Sequence, residues 1–420
     1  MKKLEIYIHI PFCAKKCDYC DFLSAPADGR TKRLYVESIK KEIKMSYYKL
    51  AGYVVDTVFI GGGTPSILDG YQIEDIMSTL REYANISQDA EITIECNPGT
   101  VTKEKLKSYR KAGINRISFG LQSANDSELK SIGRIHTYKE FEESFEMARQ
   151  NGFTNINVDL MSALPGQTLE SYKETVNKVL NLNPEHISAY SLIVEDGTPM
   201  AERVEKAQDE GYSILPDEDV EREMYYVTRE ILEKKGYHRY EISNYSKEGY
   251  ECRHNLGYWD RVEYLGFGIG AASLFRQERY NNVSELYCYM NSLYYEDIAN
   301  EAEDFFDIYS NGYVEEEYDI EDDSIEDSYN EKILASIETP HQKLTVKDEM
   351  EEYMFLGLRK IKGVSVSRFK ELFGREFGDV YGKVTNDLEQ KGLICVRDDY
   401  VRLTDRGIDI SNRVLSEFLL

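Results

Sequence analysis

The chain has 420 residues, of which 41% are apolar and 30% are charged, proportions typical of a globular protein. Its formal net charge of −25 disfavours nucleic acid as a partner, because such a chain repels phosphate backbones. No run approaches the roughly 18 apolar residues that a membrane span needs, and residues 1–10 lack the pattern of a secretory signal, so we expect a cytoplasmic protein.

Short β-rich runs alternate with helix-length amphipathic stretches over residues 4–195. Candidate strands lie at residues 4–10, 56–60, 91–96, 116–120, 156–161 and 186–192. Helices between them carry start and stop signals: Thr137 with Glu140 has a capping-box pattern, and Thr102 and Gly113 bracket another helix. Six β/α units in succession predict a parallel sheet, either open or a partial barrel. Functional residues of such folds gather at the carboxyl ends of the strands.

Residues 201–295 are interpreted as an extension of this α/β core. They contain a predicted helix at residues 217–236, a strand-like run at 240–243 and a glycine-rich stretch at 264–272.

The remainder divides into an acidic segment and a terminal domain. Residues 296–331 are dense in Asp, Glu and Tyr and contain no Lys or Arg, which predicts a solvated, low-complexity insert. Residues 332–420 predict a smaller α+β domain that resembles a winged helix. Its helices are expected at residues 351–358, 367–373 and 381–391, and its hairpin at 393–403. It lacks a clear basic face, so a packing or substrate-covering role is favoured over DNA binding.

Cysteines cluster on the loop after the first predicted strand, where Cys13, Cys17 and Cys20 lie within eight residues. Three thiolates on a short loop can hold three corners of a cubane iron–sulfur cluster and leave the fourth iron open. The alternative, a structural zinc site, needs a fourth Cys or His, and none follows Cys20 at a suitable spacing. The spacing therefore predicts a [4Fe-4S] cluster in a reducing compartment.

The sequence YIHIPFC-x3-C-x-YC at residues 7–20 resembles the radical S-adenosylmethionine superfamily, and within it the coproporphyrinogen-oxidase-like branch. Further motifs follow in the order of that branch: GGGTPS at 61–66, E-x-NPG at 95–99, G-x-QS at 120–123, GR-x-H at 133–136, DL at 159–160 and LPGQ at 164–167. The resemblance implies a partial (β/α)6 barrel over residues 1–200. It also implies that S-adenosylmethionine binds the open iron and is cleaved to a 5′-deoxyadenosyl radical after one-electron reduction.

The resemblance also implies which residues surround S-adenosylmethionine: Tyr7, Tyr19, Gly62, Gly63, Thr64, Glu95, Gln122, Arg134 and Asp159. The glycines are expected to let backbone amides approach the aminocarboxylate. Arg134 is expected to pair with the carboxylate, and the strand-end polar residues with the ribose or the amine. The two tyrosines are expected to pack beside the cluster and the cofactor.

A second motif lies far from the cysteines, where HNLGYW at residues 254–259 matches the HNxxYW signature of heme-binding relatives. A neutral imidazole is a good axial ligand for heme iron, and aromatic rings suit a flat apolar macrocycle. His254 is therefore expected to bind heme, with Cys252 as a second ligand or covalent handle. The alternative for His254 is a hydrogen-bonded structural histidine beside aromatic rings.

Two functions compete within the branch. One is an oxygen-independent coproporphyrinogen III oxidase, which decarboxylates propionate side chains by radical chemistry. The other is a heme chaperone of the HemW type, which binds heme and delivers it to heme-requiring proteins such as respiratory components. The oxidase usually has a further cysteine where this chain has Phe22, and an N-terminal arm where only six residues precede Tyr7. Together with the HNxxYW motif, these features favour the chaperone.

The chaperone interpretation brings a set of partners with it. The resemblance implies heme, heme-accepting proteins and an electron donor for the cluster, and it is compatible with a homodimer and a transient membrane association. Whether the chain is also an enzyme depends on whether S-adenosylmethionine is cleaved during function, which the sequence leaves open.

Overall fold

A computed structural model describes residues 1–294 and 323–420 of the chain. Its centre is a set of parallel strands: β1 Lys2–Ile10, β2 Tyr53–Gly62, β3 Ile86–Cys96, β4 Arg116–Gln122, β5 Ile156–Ser162 and β6 His186–Ser191. These strands are neighbours in chain order, and each pair of neighbours is parallel. The predicted succession of β/α units and the parallel sheet are confirmed.

Helices connect the strands: α1 Gly29–Met45, α2 Tyr47–Leu50, α3 Gly70–Tyr83, α4 Lys103–Lys111, α5 Asp126–Ser131, α6 Tyr138–Gln150 and α7 Leu169–Asn181. The predicted caps are present. The Thr137 side chain accepts from the Glu140 amide, and Glu140 bonds back to Thr137, so α6 begins with a capping box. Thr102 caps α4 in the same manner, and Gly113 follows that helix with a φ of 81°.

Shorter elements extend the sheet at both edges: α8 Pro199–Asp209, α9 Glu218–Lys234, β7 His238–Arg239, β8 Asn244–Ser246, α10 Arg253–Trp259, β9 Tyr264–Phe267, β10 Ala272–Phe275, β11 Glu278–Asn281 and α11 Leu286–Tyr294. The β9 strand pairs in parallel with β1, and β8 pairs antiparallel with β6. The strand predicted at residues 240–243 is wrong. Those residues connect β7 to β8, because the Glu241 carboxylate accepts from the Ser243 amide at 2.8 Å and turns the backbone.

The chain after the gap contains α12 Asp323–Ile337, β12 Gln342–Lys343, α13 Val346–Gly357, β13 Val364–Ser365, α14 Val366–Phe373, α15 Phe377–Gln390, β14 Ile394–Arg397, β15 Tyr400–Leu403, α16 Asp405–Asp409 and α17 Ser411–Ser416. The β12 strand still belongs to the large sheet, at its β11 edge. Strands β13, β15 and β14 form a separate antiparallel sheet. A second hydrophobic core runs from Met350 to Phe418, so the terminal domain packs around its own centre.

The acidic insert is predicted at residues 296–331, and its residues 296–322 lie outside the described part of the chain. Residues 323–331 are helical and form the first part of α12. Leu334 and Ile337 of this helix are buried in the main core. Among the helices that the structure describes, none is long and apolar enough to cross a membrane.

The inner face of the parallel strands is unusually polar. On β1, Leu4, Ile6, Ile8 and Ile10 join the core that the surrounding helices cover. Because successive side chains alternate between the faces of a strand, Glu5 points the opposite way, into the barrel. The inner positions of β3, β4 and β5 include Glu91, Arg116 and Asp159, all largely removed from solvent. The barrel interior therefore concentrates ionisable groups beneath the strand ends.

Candidate functional site

A cavity of about 530 Å³ opens at the carboxyl ends of the parallel strands. The predicted site residues that line it are Cys13, Cys17, Tyr19, Cys20, Gly62, Gly63, Thr64, Glu95, Gln122, Arg134 and Asp159. They come from four strands, β2 to β5, and from the segments that follow β1, β2 and α5, and the parallel topology brings these strand ends to one edge of the sheet. The structure therefore places the two groups of predicted residues, the cysteines and the strand-end side chains, in one cavity.

The cysteine loop lies at one end of the cavity. Its backbone is held by a hydrogen bond from the Cys13 amide to the Ala25 carbonyl at 3.2 Å and by one from the Cys20 amide to the Cys17 carbonyl at 3.2 Å. The Cys13 thiol lies 3.4 Å from the Thr64 hydroxyl. An Arg134 Nη1–H donates to the Cys17 sulfur at 3.6 Å.

The donor set fits a cubane cluster with one open iron. Three cysteine thiols share the lining, and no histidine lines the cavity, although all six histidines of the chain lie within the described ranges. The remaining thiol of the lining, Cys96, is buried, and burial raises its pKa to about 12, so it stays protonated. Among the described residues, no three His, Cys, Asp or Glu side chains lie close enough to share a single metal ion. Cysteines on a cubane bind separate irons and do not need to lie that close.

The glycine turn after β2 has no room for side chains. A Cβ on Gly63 would lie 3.0 Å from the Cys13 sulfur, and one on Gly62 would lie 2.6 Å from the His9 ring. Gly62 also has a φ of 111°, which other residues rarely adopt. The amides are already used: Gly62 donates to Glu95 at 3.1 Å and Gly63 to the Ile10 carbonyl at 2.9 Å. The glycines therefore supply space in this turn, and the approach of their amides to an aminocarboxylate stays a prediction.

Two partly buried carboxylates, Glu95 and Asp159, line the cavity. Burial and the nearby charge of Asp159 raise the pKa of Glu95 to about 8. Burial also raises the pKa of Asp159, although Asn157 donates to it at 2.7 Å. Such groups favour hydroxyl donors and cations. Arg116, a fully buried guanidinium among Glu91, Cys252 and Asp159, balances their charge from below. Sequence reasoning missed Arg116, whose signal was a charged residue opening a predicted strand.

Gln122 and Tyr190 form the side of the cavity. The register of β4 with β5 shifts before Gln122, which has a φ of 74°. A left-handed backbone at a residue other than glycine costs on the order of 1 kcal/mol and often marks a functional position. The Tyr190 hydroxyl donates to the Gln122 side chain at 3.1 Å. Tyr190 was not singled out in the sequence, since a tyrosine near a strand end carries no specific signal.

Tyr7, His254 and Cys252 lie outside the lining. The Tyr7 hydroxyl bonds to His9 at 3.0 Å, and its ring packs on Phe59 inside the barrel. His254 is 1% exposed, and its ring also stacks on Phe59, at 5.2 Å between centroids. Their predicted contacts with S-adenosylmethionine or heme stay predictions.

Both ring nitrogens of His254 have side-chain partners. Nδ1 lies 2.7 Å from the Thr57 hydroxyl and Nε2 lies 3.0 Å from the Tyr258 hydroxyl. The Cys252 thiol donates to Glu91, which also accepts from the His254 amide and so caps the start of α10. This arrangement matches the alternative stated above, a structural histidine beside aromatic rings. The residue of the HNxxYW motif that does line the cavity is Asn255.

Comparisons with known proteins agree with this geometry. The family model of the radical SAM superfamily matches residues 7–179, and that of the HemN C-terminal domain matches residues 344–410. A heme chaperone HemW of Lactococcus lactis is 35% identical over 420 residues, covering 100% of this chain and 98% of its own. The chain belongs to the HemW family. A HemW relative from Bacillus subtilis is 37% identical over 414 residues and is covered to 98%. The predicted branch and its chaperone subgroup are confirmed.

The fold of the family is also that of a solved oxidase. Coproporphyrinogen III oxidase (HemN) from Escherichia coli superposes with a TM-score of 0.78 at 23% identity, covering 100% of this chain and 90% of that one. At this identity the likeness shows a shared fold only. Membership of the HemW family, with its radical SAM domain, implies a [4Fe-4S] cluster and S-adenosylmethionine as cofactors.

Proposed function

We propose that this chain is a heme chaperone, which binds heme and passes it to heme-requiring proteins such as respiratory components. The observation that carries the proposal is similarity along the full length to relatives named heme chaperone HemW, with 98% of the two relatives described above covered. The partial barrel, the cysteine cavity and the terminal domain all lie within that similarity.

The lining of the cavity supports proposed roles for individual residues of a cofactor site. Cys13, Cys17 and Cys20 would hold the cluster, which would supply one-electron chemistry when bound. Arg134 donates to the Cys17 sulfur and would place positive charge beside the cluster. Glu95, whose raised pKa keeps it partly protonated near neutral pH, offers both a donor and an acceptor for hydroxyls of the cofactor. An electron donor for the cluster and heme-accepting proteins complete the proposed set of partners.

The experiment compares the two activities open to the branch. Anaerobically reconstituted protein is titrated with hemin, and the loaded protein is then mixed with an apo-heme protein whose absorption changes when it gains heme. We expect stoichiometric binding followed by transfer. In parallel, the reduced protein receives coproporphyrinogen III and S-adenosylmethionine. Formation of protoporphyrinogen IX would contradict the chaperone and establish the oxidase instead.

A further inference from the structure

Large apolar side chains stand exposed around the mouth of the cofactor cavity. Phe22 is 67% exposed and Ile193 is 68% exposed, and both line the mouth. Leu23, 37% exposed, lies beside Phe22 against Gly270. We call Phe22, Leu23 and Ile193 the apolar rim. Exposed apolar groups gathered at a cavity are typical of a binding surface, since isolated ones would be scattered.

The apolar surface continues from the rim into the cavity. The wall behind it contains Tyr19, Met161, Tyr190 and Leu192. Met161 and Leu192 belong to a small hydrophobic cluster of their own, which Tyr19 and Tyr190 flank. A flat apolar ligand could therefore cover the rim and contact aromatic edges below it, and such contacts are favourable for a macrocycle.

Two lysines add positive charge near the apolar rim. Lys15 lines the cavity and Lys16 follows it, both exposed, in a chain whose net charge is −25. Among the described residues the structure pairs neither ammonium group with a carboxylate. Asp21 and Glu195 also line the mouth, and Arg134 is a further cation of the lining. The surface thus combines the apolar rim with the ammonium groups of Lys15 and Lys16, which no carboxylate of the described residues pairs.

We infer that this surface is the heme site: one porphyrin face packs on the apolar rim, and the propionates reach Lys15 and Lys16. The inference rests on the proposed function and deepens it. A flat apolar ring with two carboxylates matches both halves of the surface, whereas His254 and Cys252 are buried and hydrogen-bonded. Heme held by one face at an open mouth keeps its other face free for an acceptor, as a delivery protein requires.

The first test removes the apolar contacts. Heme binding is followed by quenching of Trp259, the single tryptophan of the chain. Phe22→Ser and Ile193→Ser are each expected to raise the Kd for hemin about tenfold, the loss expected when one large side chain no longer covers the ligand. The matched control is Ile410→Ser, an exposed residue of the terminal domain at 42%, which should leave the Kd unchanged. Iron and sulfide content should be equal in all four proteins.

The second test separates charge from packing. Lys15→Glu is expected to weaken hemin binding about threefold or more at low salt, and the effect should shrink as salt is added. With the dimethyl ester of heme, which lacks free carboxylates, Lys15→Glu and the wild type should bind equally. Lys107→Glu, an exposed lysine on α4, is the charge control.

The outcomes distinguish this inference from the function on which it rests. A wild-type protein that binds no heme would overturn the chaperone itself. A wild type that binds heme, with rim variants of equal affinity, would overturn the rim alone, most directly if His254→Ala then lost binding. Sedimentation provides the other check. If Phe22→Ser turned a dimer into monomers without changing the Kd, the rim would be a subunit interface and the inference would be wrong.

Discussion

Replacing His254 by alanine separates a structural histidine from a heme ligand. The change removes partners from the hydroxyls of Thr57 and Tyr258, both in a buried setting. Each unpaired buried group costs about 1–3 kcal/mol, and the space left by the ring adds to this. We expect His254→Ala to lower the free energy of unfolding by about 3–5 kcal/mol. His254→Gln, which can keep one of the two hydrogen bonds, should lose roughly half as much.

The pH dependence provides an independent measure of the same contacts. Burial, with a smaller contribution from Arg116, lowers the pKa of His254 to about 3 from 6.5. In the unfolded chain His254 therefore binds a proton near pH 6.5, whereas in the folded chain it binds one only near pH 3. Wild-type stability should fall as the pH drops from about 6.5 towards 3. The fall attributable to His254 amounts to about 1.4 kcal/mol per pH unit at most, and it should be absent from His254→Ala.

The assay is urea unfolding of the full chain at several pH values, with the midpoint read by circular dichroism. His238→Ala is the control, because that ring is 44% exposed and its change should alter the free energy of unfolding by about 1 kcal/mol or less. An unchanged midpoint for His254→Ala, combined with a lost heme spectrum, would refute the structural role and return His254 to the heme site.

Three further changes test other parts of the molecule. Cys17→Ala should abolish the visible absorption and the iron content of anaerobic protein, whereas the exposed Cys288→Ala should keep both; equal iron in the two would count against the cluster. Gly62→Ala should reduce S-adenosylmethionine binding and stability together, since the new Cβ meets His9 and the φ is 111°. An unchanged binding affinity and an unchanged unfolding temperature in calorimetry would show that the turn accommodates the Cβ. Burial raises the pKa of Glu42 to about 7, so wild-type stability should fall as the pH rises from about 4.5 to 7. Glu42→Gln should flatten that fall in unfolding curves, and an unaltered slope would remove Glu42 as its source.

Much of the fold was predictable because its signals are local. Capping residues such as Thr102 and Thr137 and strand-length β-rich runs specify elements before any packing is known. The strand predicted at residues 240–243 is wrong because the structure there depends on burial and not on a local signal. The side chain of Glu241 folds back onto the Ser243 amide, and this contact depends on burial of Glu241 that the sequence does not reveal.

The candidate site was predictable where residues follow strand ends, and less so inside the barrel. Cys13, Glu95 and Asp159 meet because parallel strands share one edge. Arg116 escaped notice because its importance comes from carboxylates on other strands, brought close only by folding. The HNxxYW motif predicts a ligand-binding histidine, yet helix α10 buries His254, and its neighbour Asn255 lines the cavity.

Helices α11 and α12, which precede and follow residues 295–322, pack on the same part of the main core. Tyr289 and Leu293 of α11 pack in the same cluster as Leu334 and Ile337 of α12. Because both helices bury side chains in one cluster, a change that loosens one of them also removes packing contacts from the other.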